Sequence, residues 1–263
     1  ENDGLYYGVL TDRSILTFDR IYDFAVNTPI ERLREVFTPQ IEDNIRIAEE
    51  GLTGKYGVGI GTSLIANDKS SAAKIKAYAA SASEARMSGC TLPVITNSGS
   101  GNQGIAASIP VIVYAREHGI TGDKLYRALA LSNLLTIYQK TFIGRLSAFC
   151  GAVSAAAASG GAITYLAGGD LSQIKMTLVN ALANVSGIVC DGAKASCGAK
   201  ISAALDAALT GHYLAMDRKF YQPHTGILQS DIDETISAVG RMAMEGMRDT
   251  DKVILKIMLG ESL

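Results

Sequence analysis

From Leu146 to Gly169 the chain carries no charged residue, a run long enough to cross a bilayer. Its content argues against a membrane span. The stretch "SAFCGAVSAAAASGGAITYLAGG" is Ala, Gly and Ser with few large aliphatics, so moving it into hydrocarbon gains little. Small side chains instead let helices approach closely inside a protein. The segment predicts a buried helix–turn–helix pair hinged near Gly160-Gly161, around which the remaining helices must be arranged.

The flanking pattern is mainly helical. "ENDGLYYGVLTDRSILTF" alternates apolar and polar residues loosely and predicts a strand or two, a short β or irregular N-terminal segment. Next, "ERLREVFTPQIEDNIRIAEEGL" has apolar residues at three- and four-residue spacing, with Thr38-Pro39 restarting the helix and Gly51 ending it. "YGVGIGTSLI" reads as a Gly-rich linker. Helices are predicted over 69–89, 103–118, 122–138, 140–158, 171–184 and 194–216, and a last one over "DIDETISAVGRMAMEGMRDTDKVILKIML", whose acidic opening suits a helix N-terminus. Residues 219–230 read as a loop. About eight helices without βαβ alternation predict a multi-helix, mainly α globular domain covering 1–263.

Hydrophobic residues make up 48% and charged residues 19%, a globular composition with enough chain for a core that needs no disulfides. A net charge of -2 and a pI near 6.0, with Lys and Arg scattered, argue against a nucleic-acid partner. The chain begins at Glu1, without a signal peptide or initiator Met, so it reads as part of a longer protein. Reduced thiols in a cytoplasmic setting are the expectation, and clustered cysteines there lean toward metal or catalysis.

Two stretches concentrate chemistry. "TNSGSGNQGIAASIP", residues 96–110, places glycines and short polar side chains immediately before an apolar helix. Free N–H groups at a helix N-terminus form an anion site that glycines leave open. No Lys follows the glycines, so this is not a Walker loop, and the dinucleotide pattern lacks its strand and later acid. A phosphate, a substrate carboxylate or a plain N-cap all remain open. "VCDGAKASCG", residues 189–198, holds Cys190 and Cys197 around an Asp-Gly turn, with Cys150 forty residues earlier in the small-residue helix. The spacing fits neither a zinc knuckle nor a thioredoxin-like pair. A disulfide, buried thiols, or three corners of a [4Fe–4S] cluster with one open iron remain possible. Cys90 reads as packed core, with cluster ligand or general base as its other readings.

Few other titratable groups accompany these motifs. His118 reads as exposed, His212 as structural, and His224 as lying in the 219–230 loop. Lys140, Lys194 and Lys200 raise a Schiff-base lysine, although nothing else typical of pyridoxal enzymes is present. Arg86 and Arg145 suit the role of counter-charge to a carboxylate or a cluster.

Taken together, "TNSGSGNQG", "IYQKTFIGRLSAFCGAVSAA", "GIVCDGAKASC" and "GMRDTDKVILKIML" resemble the L-cysteine desulfidase family, itself related to the α part of iron–sulfur L-serine dehydratases. The resemblance runs from Tyr22 to Leu259. It implies an oxygen-sensitive [4Fe–4S] enzyme converting L-cysteine to pyruvate, ammonia and hydrogen sulfide. It puts the cluster ligands on Cys150, Cys190 and Cys197, and substrate binding on Asn97, Ser98, Ser100, Asn102 and Gln103. The family's N-terminal Gly-Cys-Thr-Glu-Pro motif is absent here, which leaves the general base unassigned and implies contact with a missing N-terminal part. A homodimer and a small amino-acid substrate are expected. L-serine dehydration, a redox-sensing cluster protein and a small-acid binding module are the alternatives.

Overall fold

The computed structural model describes residues 12–144 and 147–261. Within them lie eleven α-helices and one π-helical turn. These are α1 (Phe18–Asn27), α2 (Ile30–Gly51), α3 (Ile60–Asn67), α4 (Ser71–Met87), α5 (Gly101–Glu117), α6 (Asp123–Ile143), α7 (Gly151–Leu166), α8 (Leu171–Asn184), α9 (Cys197–Met216), α10 (Ile232–Arg241), the π turn (Met242–Gly246) and α11 (Arg248–Leu259). No strand occurs among the described residues. The two isolated β-bridges both lie in loops that matter below.

The small-residue run forms a single helix, α7, rather than a hinged pair. Gly160 and Gly161 do not turn the chain; they let two neighbours in. A Cβ on Gly160 would meet Ala208 of α9 at 3.0 Å, and one on Gly161 would meet Leu178 of α8 at 2.6 Å. With α5 and α6 on its other flanks, α7 is buried at every position from Ala152 to Thr164. Dispersion contacts at such short range make an Ala-rich helix as good a core element as a Leu-rich one.

Other expectations shift with tertiary context. The helix predicted over 140–158 is two helices, because α6 ends at Gly144 (φ 82) and α7 begins only after Cys150. Cys150 is therefore the N-cap of α7, not a residue within it. Pro39 does not restart α2. Pro39 and the Glu35 it leaves without a donor are exposed to water, while Phe37 and Gln40 beside them are buried and hold both halves in line. Half of the supposed Gly-rich linker is α3, capped from a distance: the buried Glu84 carboxylate of α4 accepts from the backbone N–H groups of Val58 (2.6 Å), Gly59 (3.1 Å) and Ile60 (2.9 Å). The long C-terminal helix is interrupted by the π turn. Of the proposed N-terminal strand, residues 1–11 lie outside the described residues, and 12–17 form an irregular turn leading into α1. Residues 219–230 are a loop, and α8 has the predicted bounds. No helix among the described residues is long and apolar enough to cross a membrane.

Candidate functional site

The polar loop before α5 is a tight reversal. Asn97 and Ser100 exchange backbone hydrogen bonds at 3.1 and 3.0 Å, and Ser98 and Gly99 between them both take positive φ (50 and 77). Two left-handed residues in a row are the mark of a type I′ turn, which explains the Ser-Gly dipeptide. Ser100 then caps α5, its hydroxyl accepting from the Gln103 N–H at 3.4 Å.

The five side chains expected to bind substrate separate in role. Asn97 is buried and turned inward, its Nδ2 donating to the backbone oxygen and to Oδ1 of Asn133 on α6 at 3.1 and 3.0 Å. Ser98 is exposed and donates to Asn97 Oδ1. Asn102 Oδ1 accepts from Ser83 (3.1 Å) and lies 3.5 Å from Arg86 Nη1, whose guanidinium covers Gly101 at the head of α5. Gln103 is different. It is buried, its Oε1 has no partner, and its carboxamide carbon lies 2.5 Å from where a Cβ on Gly151 would stand. The head of α5 is thus pressed against the head of α7.

The loop is anchored by residues that periodicity did not single out. Asn44 of α2, fully buried, accepts from the Ile95 N–H and donates to Ser108 Oγ at 2.8 Å each. Gln40 and Asn133 exchange amide hydrogen bonds at 3.1 and 2.9 Å. A polar residue on an apolar helix face is the signal that could have found them, since it must be satisfied by something from elsewhere in the chain.

The cysteines meet through the second bridge. Phe149 pairs with Val189 in antiparallel fashion; Cys150 N–H donates to the Ile188 carbonyl at 2.8 Å and Cys190 N–H to the Ala148 carbonyl at 2.6 Å. Buried Phe149 packs on Gly187 and holds the pair inward. The Cys150 and Cys190 thiols act on one another. Their interaction, with burial, pushes Cys150 up; the same interaction, the Gly192 N–H and Lys200 hold Cys190 down. Cys197 opens α9, its Sγ donating to the Gly192 carbonyl at 3.7 Å, within electrostatic reach of Cys150. Asp191 sets the turn between them. It bridges Lys194 at 2.5 Å and Lys200, and the two lysines bind the carbonyls of Asp191 (3.0 Å) and Val189 (2.8 Å). These cations hold the Asp191 carboxyl well below the usual carboxylate range.

Cys90 and the histidines lie apart. Cys90 is beside Tyr56, whose hydroxyl donates to Glu50 Oε1 at 3.4 Å and whose pKa is pushed up to about 12 by the Cys90 thiol and by burial. His118 is exposed and stacks on Tyr114 (ring centroids 4.0 Å), His212 is buried against Thr164, and His224 is in the exposed loop. Lys140 is buried, with the Cys190 and Cys150 thiols as the charges acting on it. Arg145 lies outside the described residues.

Among the described residues no three His, Cys, Asp or Glu side chains are gathered tightly enough to hold a single metal ion, and all four cysteines are free. A four-iron cluster makes a different demand, since each thiolate sits on its own iron. Three thiols within electrostatic reach of one another, two helix N-termini (α7 and α9) beside them, and an unpartnered buried amide oxygen suit that demand.

An all-helical fold with a cysteine trio at the heads of two helices and a polar glycine loop beside it defines the class. The chain belongs to the serine dehydratase alpha chain family, whose description matches residues 14–256. Among its relatives, a UPF0597 protein of Treponema denticola is 50% identical over 258 residues, covering 96% of this chain and 60% of that protein. A UPF0597 protein of Lachnoclostridium phytofermentans is 51% identical over 249 residues, covering 94% and 60%, and one of Fusobacterium nucleatum 45% identical over 263 residues, covering 98% and 62%. The chain thus spans 60% to 62% of the length of these curated relatives. No solved structure matches it.

Proposed function

We propose that the chain is the cluster-binding part of an iron–sulfur lyase that carries out α,β-elimination on a small β-substituted amino acid. L-Cysteine is the leading substrate, giving pyruvate, ammonia and hydrogen sulfide. L-Serine is the alternative, favoured by the family's description. The supporting observation is the Phe149–Val189 bridge, which sets Cys150 and Cys190 on paired segments with Cys197 within electrostatic reach.

In this reading Cys150, Cys190 and Cys197 hold a [4Fe–4S] cluster. When bound, such a cluster supplies a Lewis-acidic iron that favours departure of the β-substituent. The protein's part is positional. The heads of α7 and α9 direct backbone N–H groups toward negative charge. The unpartnered Gln103 oxygen accepts a hydrogen bond from the substrate ammonium, and Arg86 at the head of α5 offers a charge to its carboxylate. Asp191, Lys194 and Lys200 fix the loop that carries two of the three ligands. We place the enzyme in the cytoplasm, as a homodimer in contact with the remainder of the longer protein, with neither nucleic acid nor membrane as a partner.

Anaerobic reconstitution with ferrous iron and sulfide tests the reading. The wild-type chain is expected to take up close to four irons, and Cys150→Ser, Cys190→Ser and Cys197→Ser each to lose most of that uptake. Full uptake in all three variants, or none in the wild type, would sink it. Pyruvate release by the full-length protein from L-cysteine against L-serine separates the two substrates.

A further inference from the structure

Lys140 lies in the last turn of α6 with only 8% of its surface exposed. Burying an ammonium is strongly unfavourable unless opposite charge or acceptors meet it. Among the described residues no carboxylate lies within ion-pair distance of Lys140 and no acceptor within hydrogen-bond distance of its side chain. Lys76 and Lys200, both less buried, each have such a partner, Asp206 at 2.6 Å and Asp191.

Its setting is rigid. Neighbouring Gln139 donates to the Leu135 carbonyl at 3.2 Å and across to the Ser154 carbonyl of α7 at 2.9 Å, which fixes the end of α6 against the first turns of α7. The thiols of Cys190 and Cys150, the latter at the head of α7, lie within electrostatic reach of Lys140. Of the two arginines expected to serve as counter-charge, Arg86 instead covers the head of α5 and Arg145 lies outside the described residues. Three thiolates around a dicationic cluster leave one net negative charge; Lys200 near it is paired with Asp191, whereas Lys140 brings an ammonium with no carboxylate partner among the described residues.

We infer that Lys140 is the internal counter-ion of the anionic centre formed when Cys150, Cys190 and Cys197 hold their cluster. This rests on the iron–sulfur reading above. Lys140 is a positioning residue: it acts on the charge of the centre and not on the reacting bond.

The test compares wild type, Lys140→Met, Lys140→Gln and Lys140→Arg after anaerobic reconstitution with ferrous iron and sulfide. Iron per chain, far-UV circular dichroism and the cluster midpoint potential, followed by electron paramagnetic resonance, are measured. Removing a nearby positive charge makes an added electron less welcome. The two neutral variants should therefore show a more negative potential or hold less iron, with Lys140→Arg close to wild type in both. Neutral variants with full iron and an unmoved potential overturn the assignment. So does loss of iron in all three variants, which marks a demand for shape rather than charge. Neutral variants that lose their helical signal while Lys140→Arg keeps it overturn it as well, since the charge then serves the metal-free fold. A wild type that binds no iron ends the iron–sulfur reading itself, and that result is visible before any change at Lys140.

Discussion

Asn97 and Gln103 are both buried amides in one short loop. Asn97 spends its donors on Asn133, while the Gln103 oxygen meets nothing in the protein. Substitution should separate them. Asn97→Ala removes two buried hydrogen bonds to Asn133, whose Oδ1 keeps the one from Gln40, and should cost about 1–3 kcal/mol in urea unfolding. Gln103→Leu replaces an unpaired carboxamide with an apolar side chain of similar size, so stability should hold or rise. Under the proposed function it should also depress turnover by the full-length protein. His212 makes a second prediction. Burial, with a smaller contribution from His118, lowers its pKa from 6.5 to about 4. The unfolded chain therefore binds the proton first. This contribution is complete above pH 6.5 and is lost as pH falls toward 4, a change on the order of 3 kcal/mol. Urea titrations between pH 4 and 7 should show that slope, flattened in His212→Asn. From sequence alone, Asn97 and Gln103 were equally plausible ligands. What distinguishes them is which helix each faces, and that depends on residues far away in the chain.

At the scale of elements, sequence pattern located α5, α6, α8 and the 219–230 loop because their signals are local: capping residues, periodicity, and a run of polar and turn-forming residues. It misjudged elements whose ends are set from afar. α3 depends on Glu84, 24 residues from Ile60, and the break before α7 depends on the pairing of 148–150 with 188–190. A Gly pair in isolation favours a hinge; packing by α8 and α9 makes Gly160-Gly161 a point of close approach instead. Close approach also governs the head of α5. A Cβ on Gly104 would stand 2.0 Å from the Ile95 carbonyl oxygen, a backbone atom that cannot rotate away. Gly104→Ala should destabilise by about 3 kcal/mol, more than the ~1 kcal/mol that the better helix former returns, and thermal melting measures the difference.

For the molecule as a whole, stability resides in the helices around α7, and α11 contributes little to it. None of the described residues of α11 is buried, and Val253, Leu255, Ile257, Met258 and Leu259 are between 43% and 64% exposed. Ile257→Lys should shift unfolding stability of this chain by no more than about 0.5 kcal/mol, whereas Ile163→Lys, fully buried in the last turn of α7, should prevent folding. Calorimetry of the two variants makes the comparison. The Phe149–Val189 bridge joins the chain across the whole α7–α8 hairpin near the cysteines. Closing a loop of that length costs an unfolded chain about 3 kcal/mol of entropy before any contact repays it. The thiols therefore gather far more readily on their finished scaffold than ahead of it. Under the proposed function, loading of the cluster would follow the docking of α7 and α8 and the emergence of the head of α9.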